Sequence, residues 1–173
     1  MFLIDRIRGL FTYINRNIHI DEPFSMKWGC EVRCNNGKLV IGKHLKIESN
    51  VHLVSVSGGF LQINDNVFFN RNCIVIARGK TYIGSNTRFG PNVCVYDHDH
   101  LFDSDGVYNE LKTGKIVIGD NCWIGAGSII LKDTEIGEGS VIGAGSVVKG
   151  KIPPHSLITN DRNLEIRKIE NRS

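Results

Sequence analysis

Two histidines and three aspartates lie within one short polar segment of the chain, which reads YDHDHLFD. The five residues are Asp97, His98, Asp99, His100 and Asp103. An imidazole that is hydrogen-bonded to a carboxylate or a carbonyl is held in one tautomer and can accept a proton near neutral pH. The pattern therefore predicts a general base, whereas an exposed pair of loop histidines without a role is the simpler alternative.

A six-residue repeat indicates what holds this segment. In the second half of the chain, aliphatic residues recur at a constant spacing of six, namely Ile118, Ile124, Ile130, Ile136, Ile142 and Val148. Glycine directly follows four of them, and a small residue stands two positions before the next one. A period of six fits neither an α-helix nor one long alternating strand, but it is typical of a solenoid with a short strand and a turn in each hexad. We expect the repeat aliphatic residues to point inward, with the small residues packed beside tight corners.

The repeat has one large interruption, between Val95 and Ile118. The same phase recurs upstream of Val95 as far as Ile41, but 23 positions separate Val95 from Ile118 where six would continue the pattern. About 17 residues therefore leave the solenoid as an excursion. Because rigid scaffolds often carry their reactive groups on loops, we predict a catalytic loop over residues 96–117.

These motifs resemble those of the hexapeptide-repeat acyltransferases, in particular the galactoside, maltose and related sugar O-acetyltransferases. The resemblance implies an all-β fold, a left-handed parallel β-helix of about five coils with three hexads in each coil. In these enzymes a loop histidine stands eight residues after an Asn that begins an Asn-Val-x-aliphatic run. Here Asn92 begins such a run at that spacing from His100. The resemblance thus implies that His100 is the catalytic base, with His98 as the second choice.

The same resemblance indicates an acceptor site. Asn70 falls where these enzymes carry an Asn that helps to hold the acceptor sugar near the histidine, although a turn Asn in an ordinary hexad is the alternative. Eight positions later, where these enzymes often have an acidic sugar-binding residue, this chain has Arg78, which would suit a negatively charged sugar. Asp97 and Asp99 are further candidates to contact the acceptor, and together with Asp103 they are candidates to orient the catalytic histidine.

Acetyl-CoA, by the same resemblance, would lie in a groove between neighbouring subunits of a homotrimer. Trp123, Gly125 and Ala126 would then lie near the thioester, where the backbone N–H of Ala126 can stabilise the oxyanion of the tetrahedral intermediate. Gly143 and Ala144 would border the pantetheine, although glycine and alanine also fit the repeat by themselves.

The segment after the two prolines at 153 and 154 departs from the usual family pattern of Gly-x-Pro-Ala-basic. Arg162 and Arg167 in this segment are therefore predicted as contacts for the phosphates of acetyl-CoA on charge alone.

Both ends of the solenoid carry predicted additions. Residues 1–22 are assigned to an N-terminal helical cap, because aliphatic residues between Leu3 and Ile18 fall on one helical face. A weak contact of this helix with a membrane surface is an alternative role. Residues 23–156 form the predicted β-helix, and residues 157–173 form a short C-terminal tail, since the two prolines before it lack the N–H that a strand ladder needs.

The composition fits one ordinary soluble domain of 173 residues, with 41% hydrophobic and 23% charged residues. The net charge of +3 is small and scattered, which argues against nucleic acid as a partner. No stretch approaches the roughly 18 apolar residues that span a bilayer, and the N-terminus lacks an export signal, so we expect a cytoplasmic protein. Five cysteines are an odd number in a chain without an export signal, so we expect reduced thiols. Cys30 and Cys34 could be half of a metal site, but no second pair follows at a matching distance, so we expect no metal.

Together these features predict an acetyl-CoA-dependent O-acetyltransferase that acts on a hydroxyl of a sugar or surface polysaccharide by direct transfer in a ternary complex. The first alternative is an N-acetyltransferase on an amino sugar or an amino acid, with the same scaffold and donor. A γ-carbonic-anhydrase-like protein would bind zinc through three histidines, two of them five residues apart, and the sequence has no such pair. A non-catalytic β-helix scaffold is the remaining alternative, but it has no need of a long loop with two histidines.

Overall fold

Short strands coil into a parallel β-helix throughout the part of the chain that the structure describes. The computed structural model describes residues 17–160. In chain order the strands are β1 (Ile18–Ile20), β2 (Ser25–Met26), β3 (Glu31–Asn35), β4 (Lys38–Ile41), β5 (Lys46–Ile47), β6 (His52–Val56), β7 (Phe60–Ile63), β8 (Phe68–Phe69), β9 (Ile74–Ala77), β10 (Lys80–Ile83), β11 (Arg88–Phe89), β12 (Cys94–Tyr96), β13 (His98–Asp103), β14 (Gly106–Thr113), β15 (Lys115–Ile118), β16 (Trp123–Ile124), β17 (Ile129–Ile136), β18 (Val141–Ile142), β19 (Val147–Ile152) and β20 (Leu157–Ile158). The predicted all-β solenoid is confirmed, and its handedness stays a prediction.

The strands of successive coils stack into three faces. The first face contains β1, β4, β7, β10 and β15, followed by the second halves of β17 and β19. The second face is a separate seven-stranded sheet of β2, β5, β8, β11, β16, β18 and β20. The third face contains β3, β6, β9 and β12, followed by the first halves of β17 and β19. All neighbours on these faces pair in parallel, as expected when each coil returns to the same face.

The β-helix has more coils than the predicted number of about five. Seven strands stack on the second face, which corresponds to between six and seven coils. The first coil was missed because it lacks the glycines of the repeat, although Ile20, Met26 and Val32 already show the six-residue spacing. The last coil was missed because only four positions separate Val148 from Ile152, which breaks the phase of the repeat.

The interior is filled by the repeat aliphatic residues, as predicted. All six aliphatic positions of the second-half repeat are at most 3% exposed. Two aromatic residues take the same inward position in successive coils, and the rings of Phe69 and Phe89 stack with centroids 4.4 Å apart. The small residues also point inward: the Ser128 hydroxyl donates to the Gly143 carbonyl at 3.1 Å, and that of Ser140 donates to the Pro153 carbonyl at 3.1 Å. Small polar residues therefore satisfy backbone carbonyls at the corners.

Residues with positive φ turn the corners between faces. At equivalent corners of successive coils these residues are Asn50, Asn72 and Asn92, all with φ of 59°. The side-chain amide of Asn50 donates to Asn72 at 3.4 Å, and that of Asn72 donates to Asn92 at 3.1 Å. Asn tolerates the left-handed region better than other side chains, so the corners explain why the repeat is rich in Asn and Gly.

The predicted loop is an antiparallel β-hairpin that leaves the third face and returns to the first. It consists of β13 and β14, whose register pairs His98 with Thr113 and His100 with Leu111. The N–H of Gly114 donates to the carbonyl of Asp97 at 2.7 Å and closes the base of the hairpin. Residues 115–117, which were assigned to the loop, already belong to β15 on the first face.

The β-helix extends past both of its predicted ends. β1 pairs with β4, so residues 18–20, which were assigned to the helical cap, form a strand of the first coil. The rest of the predicted cap, residues 1–16, and the tail from residue 161 lie outside the described residues. β20 pairs with β18 beyond the two prolines, because these prolines occupy a corner and the ladder resumes after it. Between residues 17 and 160 there is no helix long and apolar enough to cross a membrane.

Candidate active site

One edge of the β-helix, directly after the strands of the second face, gathers most of the predicted cofactor-binding residues. We call it the second edge, and in successive coils it contains Asn70, Gly90, Gly125 and Gly143, each with the residue that follows it. Its backbone is continuous: the N–H of Asn70 donates to Phe89, that of Gly90 to Ile124, that of Gly125 to Ile142 and that of Gly143 to Ile158, over 2.7–3.1 Å. The structure therefore brings Asn70, Gly125, Ala126, Gly143 and Ala144 together along one line.

The glycines of the second edge have a structural reason to be glycines. A Cβ on Gly125 would lie 2.5 Å from the Ala144 nitrogen, and a Cβ on Gly143 would lie 3.0 Å from the Ile158 oxygen. Neighbouring coils approach closely here, so packing alone explains glycine at both positions, whether or not this edge binds a ligand. Gly125 itself is buried, whereas Ala126 and Gly143 are partly exposed and Ala144 is exposed, so the accessible part of this edge carries only small residues.

Ala126 offers a backbone N–H at the second edge, and Trp123 offers an exposed aromatic ring beside it. Among residues 17–160 the Ala126 N–H has no hydrogen-bond acceptor, which leaves it available to an oxygen of a bound molecule. Trp123 precedes it on β16, points outward and is 57% exposed. A flat apolar side chain beside an unpaired amide is suited to hold the acyl end of a thioester.

The hairpin positions His100 through a backbone contact. The Nδ1 atom of His100 lies 2.9 Å from the carbonyl oxygen of Tyr108 on the opposite strand. A carbonyl oxygen can only accept, so Nδ1 carries a proton, and in the neutral form of the imidazole Nε2 is then the nitrogen with the lone pair. None of the three candidate aspartates makes this contact, and sequence analysis missed Tyr108 because a main-chain carbonyl leaves no signature in residue type.

His98 lies at the base of the hairpin and is mostly buried, with a side chain that is 15% exposed. Its Nδ1 atom lies 3.3 Å from Oδ1 of Asp97, and its ring faces Tyr96 edge-on with centroids 6.1 Å apart. Burial raises the pKa of Tyr96 to about 12, so its hydroxyl stays protonated. His98 is therefore held in a closed environment, while His100 is on the exposed part of β13.

Asp97 was predicted to contact the acceptor, but the structure places it in the interior. Its side chain is fully buried, and its carboxylate accepts hydrogen bonds from the N–H of Arg78 at 2.8 Å, the N–H of Gly79 at 3.0 Å and the hydroxyl of Thr81 at 3.0 Å. With His98 as a fourth partner, both oxygens are engaged by the protein. Asp97 therefore fastens the hairpin to the preceding coil and offers nothing to a substrate.

Asp99 in the hairpin and two basic residues of the adjoining coils, Lys132 and Arg78, have local partners. Asp99 lies 3.5 Å from the Nζ of Lys132, a largely buried residue that sequence analysis missed, and Asp133 lies 3.2 Å from the same atom. The hydrogen bond with Asp133, helped by Asp99, raises the pKa of Lys132. The guanidinium of Arg78 donates to the Ser57 hydroxyl at 3.1 Å.

Asp103 and Tyr108 tie together the two strands near the tip of the hairpin. The Tyr108 hydroxyl lies 2.9 Å from both carboxylate oxygens of Asp103. The N–H of Asp105 and then this hydroxyl hold the pKa of Asp103 below its usual value, and the same contact raises the pKa of Tyr108. Asp103 thus stabilises the hairpin but does not orient His100.

The predicted site residues fall on two different edges of one chain. Asn70, Gly125 and Ala126 lie at the second edge, with Trp123 on the strand before it, while Arg78, Asp97 and the hairpin lie where the third face turns into the first. Since an extended residue covers about 3.3 Å, the eight positions from Asn70 to Arg78 separate the two edges by a distance on the order of 20 Å. Arg162 and Arg167, the predicted phosphate contacts, lie outside the described residues. In residues 17–160 no three His, Cys, Asp or Glu side chains are arranged to hold a metal ion.

Comparison with known proteins places these features in a family. The model for bacterial transferase hexapeptide (six repeats) matches residues 115–150. A Schizosaccharomyces pombe protein that is provisionally named an acetyltransferase is 44% identical over 105 residues, which are 60% of this chain and 51% of that protein. The chain spans between 51% and 58% of the curated relatives that it matches.

Solved structures agree with this comparison. A maltose O-acetyltransferase from Clostridium difficile superimposes with a TM-score of 0.58 and 32% identity, covering 79% of this chain and 71% of that one. AntD from Bacillus cereus, an N-acyltransferase crystallised with coenzyme A and dTDP-4-amino-4,6-dideoxyglucose, superimposes with a TM-score of 0.69 over 96% of this chain and 90% of its own. Its identity of 19% shows a shared fold only.

Proposed function

Because this chain belongs to the hexapeptide-repeat acetyltransferases, we propose that it transfers an acetyl group from acetyl-CoA to a hydroxyl of a sugar or surface polysaccharide. The observation that carries the proposal is the contact between His100 Nδ1 and the Tyr108 carbonyl on a hairpin that projects from this scaffold. A neutral imidazole with a fixed tautomer and an exposed Nε2 is the group that removal of a hydroxyl proton requires.

The transfer proceeds directly in a ternary complex. His100 Nε2 takes the proton of the acceptor hydroxyl as its oxygen attacks the thioester carbonyl carbon. The N–H of Ala126 donates to the oxyanion of the tetrahedral intermediate. When this intermediate collapses, the carbon–sulfur bond breaks, the new ester is released, and the sulfur takes the proton from His100. The histidine returns to its starting state without a covalent enzyme intermediate.

The donor lies along the second edge in this proposal. Trp123 packs near the acetyl group, and the pantetheine runs past Gly143 and Ala144, whose small size lets it approach the backbone. Arg162 and Arg167 remain the proposed partners of the phosphates of acetyl-CoA. Asn70, in the same line as Gly125, holds the acceptor hydroxyl beside the acetyl group.

His100 is carried by a hairpin at the far side of the third face from the second edge, and this separation favours a site shared between two copies of the chain. We propose a homotrimer in which the hairpin of one subunit reaches the second edge of its neighbour. The tip of the hairpin supports this arrangement, since Phe102 is 76% exposed and Val107 is 74% exposed. Large apolar side chains at a projecting tip are typical of a subunit contact.

The function is tested by thiol release from acetyl-CoA with a panel of sugars, nucleotide sugars and amino sugars. We expect turnover with a hydroxyl acceptor, and His100→Ala should lower kcat by about 10²- to 10⁴-fold. His98→Ala is the matched control and should retain activity if its fold is intact by circular dichroism. Turnover only with amine acceptors would replace O-acetylation by N-acetylation, and loss of activity in His98→Ala alone would move the base.

The shared site is tested by mixing two inactive variants. His100→Ala and Asn70→Ala subunits, unfolded together and refolded, should regain activity at up to about one in four interfaces, because those combine a native histidine with a native asparagine. If both residues acted within one chain, each subunit would carry one defect and mixing would restore nothing. Analytical ultracentrifugation of the same mixture gives its oligomeric state.

A further inference from the structure

A basic cavity lies on the second face, on the other side of Trp123 from the proposed pantetheine path. It has a volume of about 260 Å³. The residues that line it are His44, Lys46, Asn66, Val67, Phe68 and Arg88. Three of these residues are basic, none is acidic, and the mechanism above uses none of them.

Lys46 and Arg88, the two permanent cations of this cavity, have no side-chain partners in the part of the chain that the structure describes. Lys46 and Arg88 are exposed, and within residues 17–160 neither forms a salt bridge or a side-chain hydrogen bond. The acidic residues beside the cavity in sequence are engaged elsewhere. Glu48 accepts from the Nζ of Lys27 at 2.8 Å, and Asp65 accepts from the N–H of Lys43 at 2.8 Å. Lys46 and Arg88 therefore remain available to bind an anion.

The strand register connects this cavity with the proposed reaction centre. On the outward side of the second face, Lys46 is in register with Phe68, Phe68 with Arg88, and Arg88 with Trp123. Adjacent strands are about 4.8 Å apart, so Arg88 lies one strand from Trp123 and Lys46 about three strands away. Asn70 follows β8, the strand that carries Phe68. A ligand in the cavity would thus end beside Asn70 and Trp123.

We propose that this cavity binds a phosphate or diphosphate group on the acceptor, so that the substrate is a sugar carried as a glycosyl phosphate. The inference rests on the proposed acetyl transfer and adds the chemical class of the acceptor. The planar guanidinium of Arg88 binds phosphate oxygens in pairs, and Lys46 adds a second charge. The half-buried ring of Phe68 between them supports the apolar face of the sugar. The sugar hydroxyls then point toward Asn70.

The binding step is tested without any turnover. Inorganic pyrophosphate is titrated into the full chain by calorimetry at low salt, with Arg88→Gln and Lys46→Gln as the test variants and Lys38→Gln as the control. Lys38 is an exposed lysine on the first face, in register with Phe60. We expect Arg88→Gln to weaken binding by about 10-fold or more, because a charge-assisted bidentate contact is lost, and Lys38→Gln to leave it unchanged. Absent binding, or equal loss in Lys38→Gln, would overturn the proposal.

The acceptor step uses pairs of compounds that differ only in their phosphate. Thiol release is compared for a methyl glycoside, the corresponding sugar 1-phosphate and the corresponding nucleoside diphosphate sugar. We expect the phosphorylated acceptors to have KM values at least 10-fold lower, and Arg88→Gln to remove this difference while kcat at saturation is kept. The two phosphorylated compounds distinguish a simple phosphate from a nucleotide carrier. Turnover with equal KM for the neutral sugar would overturn this inference and leave acetyl transfer intact, whereas failure to bind acetyl-CoA would refute the proposed function.

Discussion

The Nδ1 atom of His100 lies 2.9 Å from the main-chain carbonyl oxygen of Tyr108, across the two strands of the hairpin. The side chain of Tyr108 has a separate task, since its hydroxyl donates to the carboxylate of Asp103. Tyr108 therefore fixes the tautomer of His100 through its carbonyl oxygen and connects the strands at the hairpin tip through its hydroxyl. This division makes the two roles separable by substitution at Tyr108.

Tyr108→Phe should raise the pKa of Asp103 and leave the tautomer of His100 unchanged. The N–H of Asp105 would still lower the pKa of that carboxyl, but the hydroxyl contribution would be gone. Titration of the Asp103 carboxyl carbon by NMR measures the midpoint, and the ¹⁵N shifts of the His100 ring report its tautomer. An unchanged Asp103 midpoint would contradict the role of the hydroxyl, and a changed His100 tautomer would contradict the main-chain contact.

The hairpin tip should lose stability as the pH falls, because the pKa of Asp103 is lowered in the folded hairpin. The ionised form of Asp103 is therefore favoured by folding, and this contribution is complete above the usual carboxyl pKa. As the pH falls through the folded pKa, the contribution is lost. Amide hydrogen exchange of residues 103–108, corrected for intrinsic rates, should show weaker protection below that pH in the native chain and a smaller pH effect in Asp103→Asn.

Asp97→Asn should destabilise the β-helix by about 1–3 kcal/mol, because an amide nitrogen would face donors that now meet a carboxylate oxygen. Asp97 is fully buried and accepts from two backbone N–H groups and the Thr81 hydroxyl. Urea unfolding at fixed protein concentration measures the change. Asp99→Asn, whose carboxylate is 46% exposed, is the control and should stay within about 0.5 kcal/mol of the native chain. Equal effects in the two variants would refute the structural role of Asp97.

The features of this fold that depend on the six-residue repeat could be predicted from the sequence. Ile118 and its repeats predict the solenoid because every coil imposes the same inward position, and the gap after Val95 predicts the excursion. The contacts within the excursion could not be predicted from the sequence. Asp97 and Asp99 are the same residue type, and only the structure shows that Asp97 is buried and Asp99 is partly exposed. The first coil was within reach, because Met26 and Val32 keep the six-residue spacing.

The basic cavity could not be predicted from the sequence for a different reason. Lys46, Phe68 and Arg88 follow one another at intervals of about twenty residues in sequence, and each is an ordinary outward residue of its own hexad. They form a row only when the strand register aligns successive coils. A known coil length would have predicted this row, but the coils here differ in length.

Gly125→Ala should be more damaging than Gly127→Ala, although only Gly127 has a positive φ. A Cβ on Gly125 would lie 2.5 Å from the Ala144 nitrogen and 2.6 Å from the Ile142 oxygen, so backbone atoms of the next coil must move. Gly127 has a φ of 68° but nothing within 4 Å of a new Cβ, so its substitution costs only about 1 kcal/mol of backbone strain.

Gly127→Asn provides the matched test of this explanation. Asn92 takes the equivalent corner in the preceding coil with a φ of 59°, so Asn at position 127 should be close to neutral. Urea unfolding should rank the stabilities as native, Gly127→Asn, Gly127→Ala and Gly125→Ala in falling order. A Gly127→Asn variant as unstable as Gly125→Ala would mean that the corner needs glycine for reasons other than φ.

Phe69→Ala should affect both the stability of the core and the acceptor site. Phe69 is fully buried and stacks on Phe89 in the next coil, so truncation should cost about 3–5 kcal/mol through lost burial and the cavity that remains. Asn70 follows it directly on the second edge, so relaxation into that cavity should displace Asn70 and raise the KM for the acceptor. Phe69→Leu keeps more of the volume and should lose less of both. Phe60→Ala, at a half-buried position on the first face, is the control and should lose less stability than Phe69→Ala. If Phe69→Ala lowered stability without changing KM, the position of Asn70 would not depend on this aromatic pair, and its place in the acceptor site would need another explanation.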